Sequence, residues 1–172
     1  GVSDETQRCF EIMGSAQLAN ILPLDADHVV IQQTNAATLR GDYYRYNLKT
    51  KKTELLFRAT GRSAPALLDP RTGEVLVRSD LESVGGSYES RFYFRDPETG
   101  KFVVHENLNS RIELRHQMDF VGRDEKTGKF YVLTDKFSDL VQAWMYDPKT
   151  RQFDPQPLVA HPEFSIVNLY LG

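Results

Sequence analysis

Apolar residues along this chain fall into short runs in which apolar and polar positions alternate, as in "HVVIQQT", "EVLVRSD" and "KFYVLTD". Val, Tyr, Phe and Leu dominate these runs, and such residues are enriched in strands. An apolar residue at every second position places one side of a strand against a core. No amphipathic helix of ten or more residues interrupts the runs. The pattern predicts an all-β protein.

Five turn sequences of one type separate pairs of these runs. They begin at Asn47, Asp69, Asp96, Asp124 and Asp147 and read "NLKTK", "DPRTG", "DPETG", "DEKTG" and "DPKTR". The Asp or Asn side chain accepts hydrogen bonds from amides two or three residues on. Gly or a long polar residue then takes the left-handed backbone position that leads into the next strand. Each turn therefore predicts a tight antiparallel hairpin.

The turns repeat with a period that indicates the fold. Alternate turns are 49, 55 and 51 positions apart, from Asn47 to Asp96, from Asp69 to Asp124 and from Asp96 to Asp147. A unit of about 50 residues with two such turns has four strands, and consecutive four-stranded sheets of this length are typical of β-propeller blades. A β-sandwich also has short strands at such intervals. The β-sandwich topology, however, does not require the same turn after every second strand.

We therefore predict a partial β-propeller in a single domain over residues 1–172. Its parts are a lead-in (1–13), three four-stranded antiparallel blades (14–60, 61–107 and 108–160) and the first strand of a fourth blade (161–172). Propellers usually close with about four to eight blades. Three blades are thus expected either to belong to a larger ring or to be completed by other copies of the chain. In isolation, we expect the chain to self-associate through exposed blade edges.

Composition restricts the function classes. The chain has 172 residues, with 21 Lys and Arg against 24 Asp and Glu, a formal net charge of −3 and the two signs interspersed. This distribution lacks the basic patch that nucleic acid or an anionic membrane requires. No apolar run approaches the roughly 20 residues of a membrane-spanning helix. The single cysteine, Cys9, excludes an internal disulfide and a cysteine-ligated metal cluster.

Consecutive links of an antiparallel blade alternate between its two ends, so the five turns are expected at one end. The opposite end receives the links between second and third strands and the links between blades: "TNAATLRG", "LESVGGSYES", "KFSDL", "ATGRS", "NLNSR" and "AHPEF". These links are longer and irregular, and variable loops on a rigid scaffold are where binding sites accumulate. If the chain binds a ligand, we predict that this end binds it.

One of these loops resembles the start of a serine-hydrolase nucleophile elbow. Gly85 stands two residues before Ser87, as the elbow requires. The residue two positions after Ser87 is Glu89, however, and "SRFYFRDPETG" predicts a strand and a hairpin rather than a helix. We interpret Ser87 as part of a flexible loop between two strands. No catalytic residue is predicted in this chain.

Other candidate groups favour structural roles. The histidines lack the spacing of a metal site: His28, His105, His116 and His161. The segment "LDADH" carries two carboxylates that could hold calcium, but it lacks the glycine and the distal glutamate of an EF-hand loop. A solvated turn is the preferred interpretation. No metal and no cofactor are predicted.

Third-strand aromatic residues could line a peptide groove, but at every second position they are more often packed between blades. They are Tyr43, Tyr44, Tyr46, Phe92, Tyr93, Phe94 and Trp144. Arginines at loop–strand junctions could recognise a carboxylate, although surface ion pairs are the more common arrangement. These arginines are Arg40, Arg62, Arg91 and Arg111.

Taken in order, several segments resemble the N-terminal propeller of bacterial prolyl oligopeptidase-family serine peptidases, especially those of the dipeptidyl and acylaminoacyl peptidase type. The segments are "ILPLDADHVVIQ", "YYRYNLKTKKTELL", "SRFYFRDPETGKF", "DEKTGKFYVLTDKFSD" and "QAWMYDPKT…LVAHPEF". The similarity spans residues from about 14 to 172.

The resemblance implies a seven- or eight-bladed propeller that covers an α/β-hydrolase domain of the same polypeptide. In that family the propeller limits access to short or unstructured peptides, and the Ser, Asp and His triad lies in the hydrolase domain. None of the triad residues therefore maps onto this chain. The implied partners are the hydrolase domain and a peptide substrate, and the implied compartment is the periplasm or cytoplasm of a bacterium.

A non-enzymatic propeller scaffold that binds proteins or peptides is the alternative. The parent reading frame distinguishes the two hypotheses. A downstream strand, G-x-S-x-G segment and helix would indicate the peptidase, and a different module would indicate the scaffold.

Overall fold

The computed structural model describes residues 16–35, 40–59 and 64–171. Within these residues the secondary structure is almost entirely β, and the helical segments Glu106–Leu108 and Ile112–Leu114 are single 3₁₀ turns. The strands are, in chain order, β1 (Ala16–Ile21), β2 (His28–Asn35), β3 (Arg40–Asn47), β4 (Thr53–Arg58), β5 (Ala64–Leu68), β6 (Val75–Val84), β7 (Ser87–Arg95), β8 (Phe102–Val104), β9 (Ser110–Arg111), β10 (Met118–Arg123), β11 (Phe130–Thr134), β12 (Gln142–Asp147) and β13 (Gln152–Phe153).

These strands form three sheets in succession along the chain. The spatial orders are β1-β2-β3-β4, β5-β6-β7-β8 and β10-β11-β12-β13, and the short strand β9 pairs with β7 in the second sheet. Neighbouring strands run antiparallel. Sequential four-stranded antiparallel sheets are the blade units of a propeller. The predicted fold class, an all-β partial β-propeller, is confirmed.

All five predicted turns form, and each joins the first and second or the third and fourth strands of a sheet. In each turn the Asp or Asn side chain accepts the backbone N–H two residues on, at distances of 2.7–3.2 Å. The fifth position has a φ between 57° and 74°, whether it is Gly, Lys51 or Arg151. The turn chemistry that the sequence predicts is confirmed.

The chain divides into two compact units. Among the described residues, the first unit comprises the first sheet, Ala64 and Leu68–Val75, and the second comprises Pro65–Leu67 and everything from Leu76 on.

In the first unit, the Asp69 turn packs onto the first sheet at Gly73. A Cβ on Gly73 would lie 2.8 Å from Val30 Cγ2, and the Leu24 amide donates to the Pro70 carbonyl oxygen at 3.3 Å. The φ of 73° favours glycine, and the close approach of the two segments leaves no room for a Cβ.

The core of the second unit is built mainly from aromatic side chains of its two sheets. Phe94 has ring-centroid distances of 5.1 Å to Phe120, 5.3 Å to Phe130 and 5.4 Å to Tyr146, in tilted or edge-on arrangements that aromatic pairs favour. Phe92 lies 5.5 Å from Phe120. The prediction that third-strand aromatic residues pack between blades is confirmed for Phe92 and Phe94.

Residues 161–171, predicted as the first strand of a fourth blade, contain no strand in this structure. Ile166 instead donates its backbone N–H to the Val141 carbonyl oxygen at 2.8 Å, and the Leu171 side chain lies over Gly122 of the third sheet. The segment thus joins the third sheet through the Ile166 amide, the Ser165 hydroxyl and the Leu171 side chain rather than through a ladder of paired residues, and a strand needs such a ladder.

Candidate functional site

Each sheet of the second unit has two different ends, because successive links in an antiparallel sheet alternate between them. The turn end carries the turns 96–101, 124–129 and 147–152. The loop end carries the β6–β7 link and the segments 105–117, 135–141 and 154–165.

Large apolar side chains of the second unit are exposed at its loop end and along residues 166–171. The exposed fractions are 70% for Leu114, 65% for Phe164, 46% for Phe137 and 43% for Tyr88. The other members are Val84, Leu158 and Val159. The three turn segments at the opposite end contain only charged and polar residues, Pro and Gly. Such a concentration of exposed apolar side chains is typical of a binding surface.

Hydrogen bonds between neighbouring segments hold the loop end in place. Asp135 Oδ1 accepts the Gln117 backbone N–H at 2.9 Å and lies 3.3 Å from His116 Nδ1. The Ser165 hydroxyl oxygen accepts the Val141 backbone N–H at 3.0 Å. The loop 135–141 is thereby tied to the segments on both sides of it. A surface held in this way loses little conformational entropy when it binds a ligand.

Phe137 is the most directly supported of the exposed apolar residues. Its ring centroid lies 4.3 Å from that of Trp144 and 5.1 Å from that of Phe153. Trp144 is itself fixed, since its indole N–H donates to Gln142 Oε1 at 3.1 Å. Phe137 therefore presents an aromatic surface on a rigid base, as a binding residue should.

The β6–β7 link is a tight hairpin, which corrects the prediction of a flexible, irregular loop. Val84 pairs directly with Ser87, and Gly85 and Gly86 have φ values of 58° and 84°. Positive φ at both central residues is what a two-residue type I′ hairpin requires. The Ser87 hydroxyl donates to the Val84 carbonyl oxygen at 3.3 Å. Ser87 lies at the start of a strand and not at a strand-to-helix corner.

One face of this hairpin carries charged and polar residues at every second position. The cross-strand pairs are Arg78 with Tyr93, Asp80 with Arg91, and Glu82 with Glu89. Arg91 and Tyr93 are candidates from the sequence, but the row as a whole is not predicted. Its signal in the sequence is the charged residues at every second position on both sides of the Gly85-Gly86 pair.

The charges in this row are compensated within it. Arg91 lies 3.2 Å from Glu82 and 3.3 Å from Glu89, and hydrogen bonds with Tyr93 and Glu89 raise the pKa of Arg91. The expected ion pairing of Arg91 is confirmed. Burial raises the pKa of Asp80, whose Oδ2 lies 2.6 Å from Arg78 Nη1. We therefore assign the row a role in fixing the hairpin rather than in binding a ligand.

The "LDADH" segment forms a polar network in the first unit instead of a calcium loop. Asp25 Oδ1 lies 3.0 Å from His28 Nδ1, and the Asp25 carboxylate also pairs with Arg45. Hydrogen bonds from His28 and Arg45 hold the pKa of Asp25 well below its usual range. An incoming cation would have to displace these donors.

His28 resembles the histidine of a catalytic dyad, but both of its ring nitrogens are engaged. Asn47 Oδ1 accepts the Lys49 and Thr50 amides, so its Nδ2 must be the group that donates to His28 Nε2 at 3.0 Å. His28 Nδ1 then donates to Asp25. The pair joins the β1–β2 turn to the β3–β4 turn, and no ring nitrogen remains to accept a proton from a nucleophile.

The other histidines lie apart in structural settings. His105 is buried beside Tyr146, and its pKa is lowered to about 4, chiefly by burial. His161 Nδ1 accepts the Glu163 and Phe164 amides at 3.1 and 3.2 Å. No group of three or more potential metal ligands occurs among the described residues.

The remaining predicted candidates contribute little to a site. Arg111 lies in β9, where its backbone is the cross-strand partner of Glu89 in β7. Arg40 is the first residue of β3. Cys9 and Arg62 lie outside the described residues.

Over the ranges that the structure describes, no helix has the length and apolarity that a bilayer crossing needs.

The topology and the loop end together define the class of this protein: an all-β chain of propeller-type sheets with an apolar surface at the loop end of its second unit. No protein family model matches the sequence, and no curated protein matches it. The crystal structure of TolB from Acinetobacter baumannii is similar, with 16% sequence identity and a TM-score of 0.49. That match covers 81% of this chain and 31% of TolB, so the chain spans about a third of the TolB length. The fold assignment rests on the sheet topology alone.

Proposed function

We propose that this chain is a non-catalytic propeller module that binds unstructured peptide segments at the loop end of its second unit. The observation that carries the proposal is the exposure of Leu114, Phe137 and Phe164 there, opposite an end with only polar turns. Extended peptides offer apolar side chains for such a surface, and the fixed loops reduce the entropy lost on binding.

The parent protein in this proposal is a prolyl oligopeptidase-like serine peptidase. The ordered sequence resemblance supports it, and the module would gate peptide access to an α/β-hydrolase domain of the same polypeptide. The hairpin position of Ser87 and the two occupied ring nitrogens of His28 support placing the chemistry outside this chain.

A non-enzymatic scaffold is the second candidate. The same loop end supports it, because a surface for apolar peptide segments serves a scaffold as well as a peptidase. The two candidates differ only in whether a hydrolase domain accompanies the module.

Peptide binding at the loop end is tested with fluorescently labelled, unstructured peptides of varied apolar content, by anisotropy. Leu114→Ser and Phe137→Ser should each weaken binding by about tenfold, since each removes apolar surface that would be buried in the complex. Leu48→Ser is the matched control, because Leu48 is 42% exposed in a turn of the first unit. Equal affinities for all three variants and the wild type would refute the proposal.

The peptidase parent is tested separately with chromogenic aminoacyl and dipeptidyl substrates. The 172-residue chain alone should give no turnover, whereas the longer polypeptide should, with or without Ser87→Ala. Labelling of Ser87 by a fluorophosphonate would contradict this assignment. Peptide binding without turnover by the longer polypeptide would favour the scaffold.

A further inference from the structure

Strand β6 extends beyond the strand that covers the edge facing away from β7. The turn that begins at Asp69 joins the end of β5 to the start of β6, and β5 has five residues whereas β6 has ten. β5 therefore reaches only about halfway along β6. In the third sheet, by contrast, all five residues of β11 pair with β10. Over the described part of the chain, β7 is the only strand beside the β6 segment from Leu81 to Val84.

The direction of the hairpin backbone is fixed at Phe92 on β7. The Phe92 N–H donates to Asn109 Oδ1 at 3.3 Å, and the Phe92 carbonyl oxygen accepts the His105 N–H at 2.9 Å. Neither partner belongs to β6, so Phe92 occupies a position of the β6–β7 pair that has no ladder hydrogen bonds. Every second pair of an antiparallel ladder is of this kind, and its two residues point their N–H and C=O groups away from each other.

The same alternation places backbone groups of Leu81 and Ser83 at the uncovered edge of β6. Counting from Phe92, the next two pairs of this kind are Leu81 with Ser90 and Ser83 with Tyr88. The N–H and C=O groups of Leu81 and Ser83 therefore point away from β7, to the side where no described strand meets them. We call these backbone groups the β6 edge.

The β6 edge is accessible and held in shape. Ser83 and Val84 are exposed, and Val84 is one of the apolar residues of the loop end. Arg91 pairs with both Glu82 and Glu89, which fastens the two strands of the hairpin to each other. A fixed edge loses little conformational entropy when a partner binds. The edge segment also contains neither Pro nor Lys, with which proteins commonly block such edges.

The chemistry of the β6 edge indicates its partner. A regular row of backbone donors and acceptors is matched by another extended backbone. A second copy of β6 is a poor match, because like charges directly opposite each other in paired strands are destabilising. Antiparallel pairing of Leu81 with Ser83 would place Glu82 opposite Glu82, and pairing of Leu81 with itself would place Asp80 opposite Glu82. A peptide without acidic side chains avoids this repulsion.

We propose that an extended peptide segment without acidic residues pairs with the β6 edge as an added strand. This inference rests on the proposed peptide-binding function and specifies how the peptide main chain is held. Hydrogen bonds to the backbone of Leu81 and Ser83 provide affinity for extended peptides of varied sequence. A helical segment has its N–H and C=O groups bonded internally, so the β6 edge selects unstructured segments.

Amide hydrogen exchange of the isotope-labelled chain, followed by NMR, tests the proposal. In the free chain the amides of Leu81 and Ser83 should exchange fast, whereas the Glu82 amide, which faces Glu89 across the hairpin, should exchange slowly. The probe is a synthetic peptide of alternating Val and Lys. At about ten times its Kd it should slow the exchange of both edge amides about tenfold. A peptide of alternating Val and Glu should leave them fast.

Modified peptides show whether the main chain makes the contact. Alternate amides of a strand point to opposite edges. N-methylation of one set of amides, either the valines or the lysines, should therefore abolish the protection, whereas N-methylation of the other set should preserve it. Equal effects of the two modifications would overturn the proposal.

A backbone change on the chain provides the matching test. Ser83→Pro removes an outward N–H and leaves the β6–β7 ladder intact, since proline is accepted where the N–H of an edge strand faces solvent. It should weaken binding of the Val-Lys peptide about fivefold to tenfold. Ser83→Ala keeps the N–H, so it is the matched control and should bind like the wild type. Circular dichroism checks that both variants fold, and the exchange measurement on the wild type does not depend on them.

The outcomes separate this inference from the proposed function. A peptide that binds while the edge amides stay fast would overturn the inference and leave peptide binding at the loop end standing. Protection of the edge amides with unchanged affinity in Leu114→Ser and Phe137→Ser would refute the apolar surface alone. Binding of no peptide would refute both.

Exchange in the chain without peptide excludes the other occupants of the β6 edge. Slow exchange of the Leu81 and Ser83 amides in dilute solution would show that the chain itself covers the edge. Protection that appears only as the chain concentration rises would assign the edge to a second copy. Either result would overturn the proposal.

Discussion

The Tyr146 hydroxyl lies 2.7 Å from His105 Nδ1 in the core of the second unit. Both residues are at least 96% buried, and the imidazole stacks on Phe94 with a ring-centroid distance of 4.0 Å. Asn107 Nδ2 donates to the same hydroxyl at 3.2 Å. This contact joins the segment after β8 to β12, so it links the two sheets of the unit through polar groups inside an aromatic core.

The burial of His105 predicts that stability falls in mild acid. Its pKa is about 4 in the folded chain, against an ordinary value of 6.5, because burial and then the nearby Arg151 charge disfavour the imidazolium. Between these pH values the unfolded chain binds more protons, so stability is complete above about pH 6.5 and falls as the pH drops toward 4. The loss should reach about 3 kcal/mol.

Urea unfolding at a series of pH values measures this loss. His105→Gln should flatten the pH dependence between 6.5 and 4. A His105 resonance that titrates near its ordinary pKa in the folded wild type would contradict the prediction, whether or not the variant folds.

Removal of the Tyr146 hydroxyl should destabilise the chain despite the small change in volume. Tyr146→Phe leaves His105 Nδ1 and Asn107 Nδ2 without this partner in or beside the core. The expected loss in the free energy of unfolding is about 1–3 kcal/mol. Tyr131→Phe, at a half-buried position of β11, is the control and should change it by no more than about 0.5 kcal/mol. Equal stabilities for the two variants would contradict the prediction.

Two glycines with the same backbone conformation should respond differently to alanine. Gly73 and Gly128 have φ values of 73° and 74°, so each Gly→Ala change should cost about 1–2 kcal/mol from strain. Only Gly73 lies against another segment, where the new Cβ would be 2.8 Å from Val30 Cγ2; at Gly128 it meets nothing within 4 Å. Overpacking should add about 1–3 kcal/mol at Gly73. Urea unfolding of the two variants measures this difference. Similar losses in the free energy of unfolding would show that the Asp69 turn can move away from Val30 without a cost in stability.

The features that the sequence predicted well are those held together by local bonds. Each Asp or Asn turn closes through contacts within six residues, so its chemistry can be read from the chain. The Gly85-Gly86 hairpin is equally local: the sequence suggests a flexible loop, but both glycines adopt the positive φ of a two-residue turn. Adjacent glycines between two alternating strands are themselves the signal of such a turn.

Features that depend on distant partners could not be predicted in this way. Residues 161–171 have the apolar alternation of a strand, yet a strand also needs a neighbour to pair with. Leu108 and Leu114 stand in the same linker between two sheets, and one is 4% and the other 70% exposed. Their neighbouring residues do not indicate which of the two leucines is exposed. The apolar surface at the loop end therefore had to be found from the structure.

The self-contained bonding of the Asp turns has a consequence for how such a chain varies. Because each turn supplies its own acceptor, its own left-handed residue and its own closing amide, the hexapeptide at Asp96 is interchangeable with the one at Asp124. An exchange of these two hexapeptides should leave the strands in register. The chain can therefore diversify its opposite end while its hairpins stay closed.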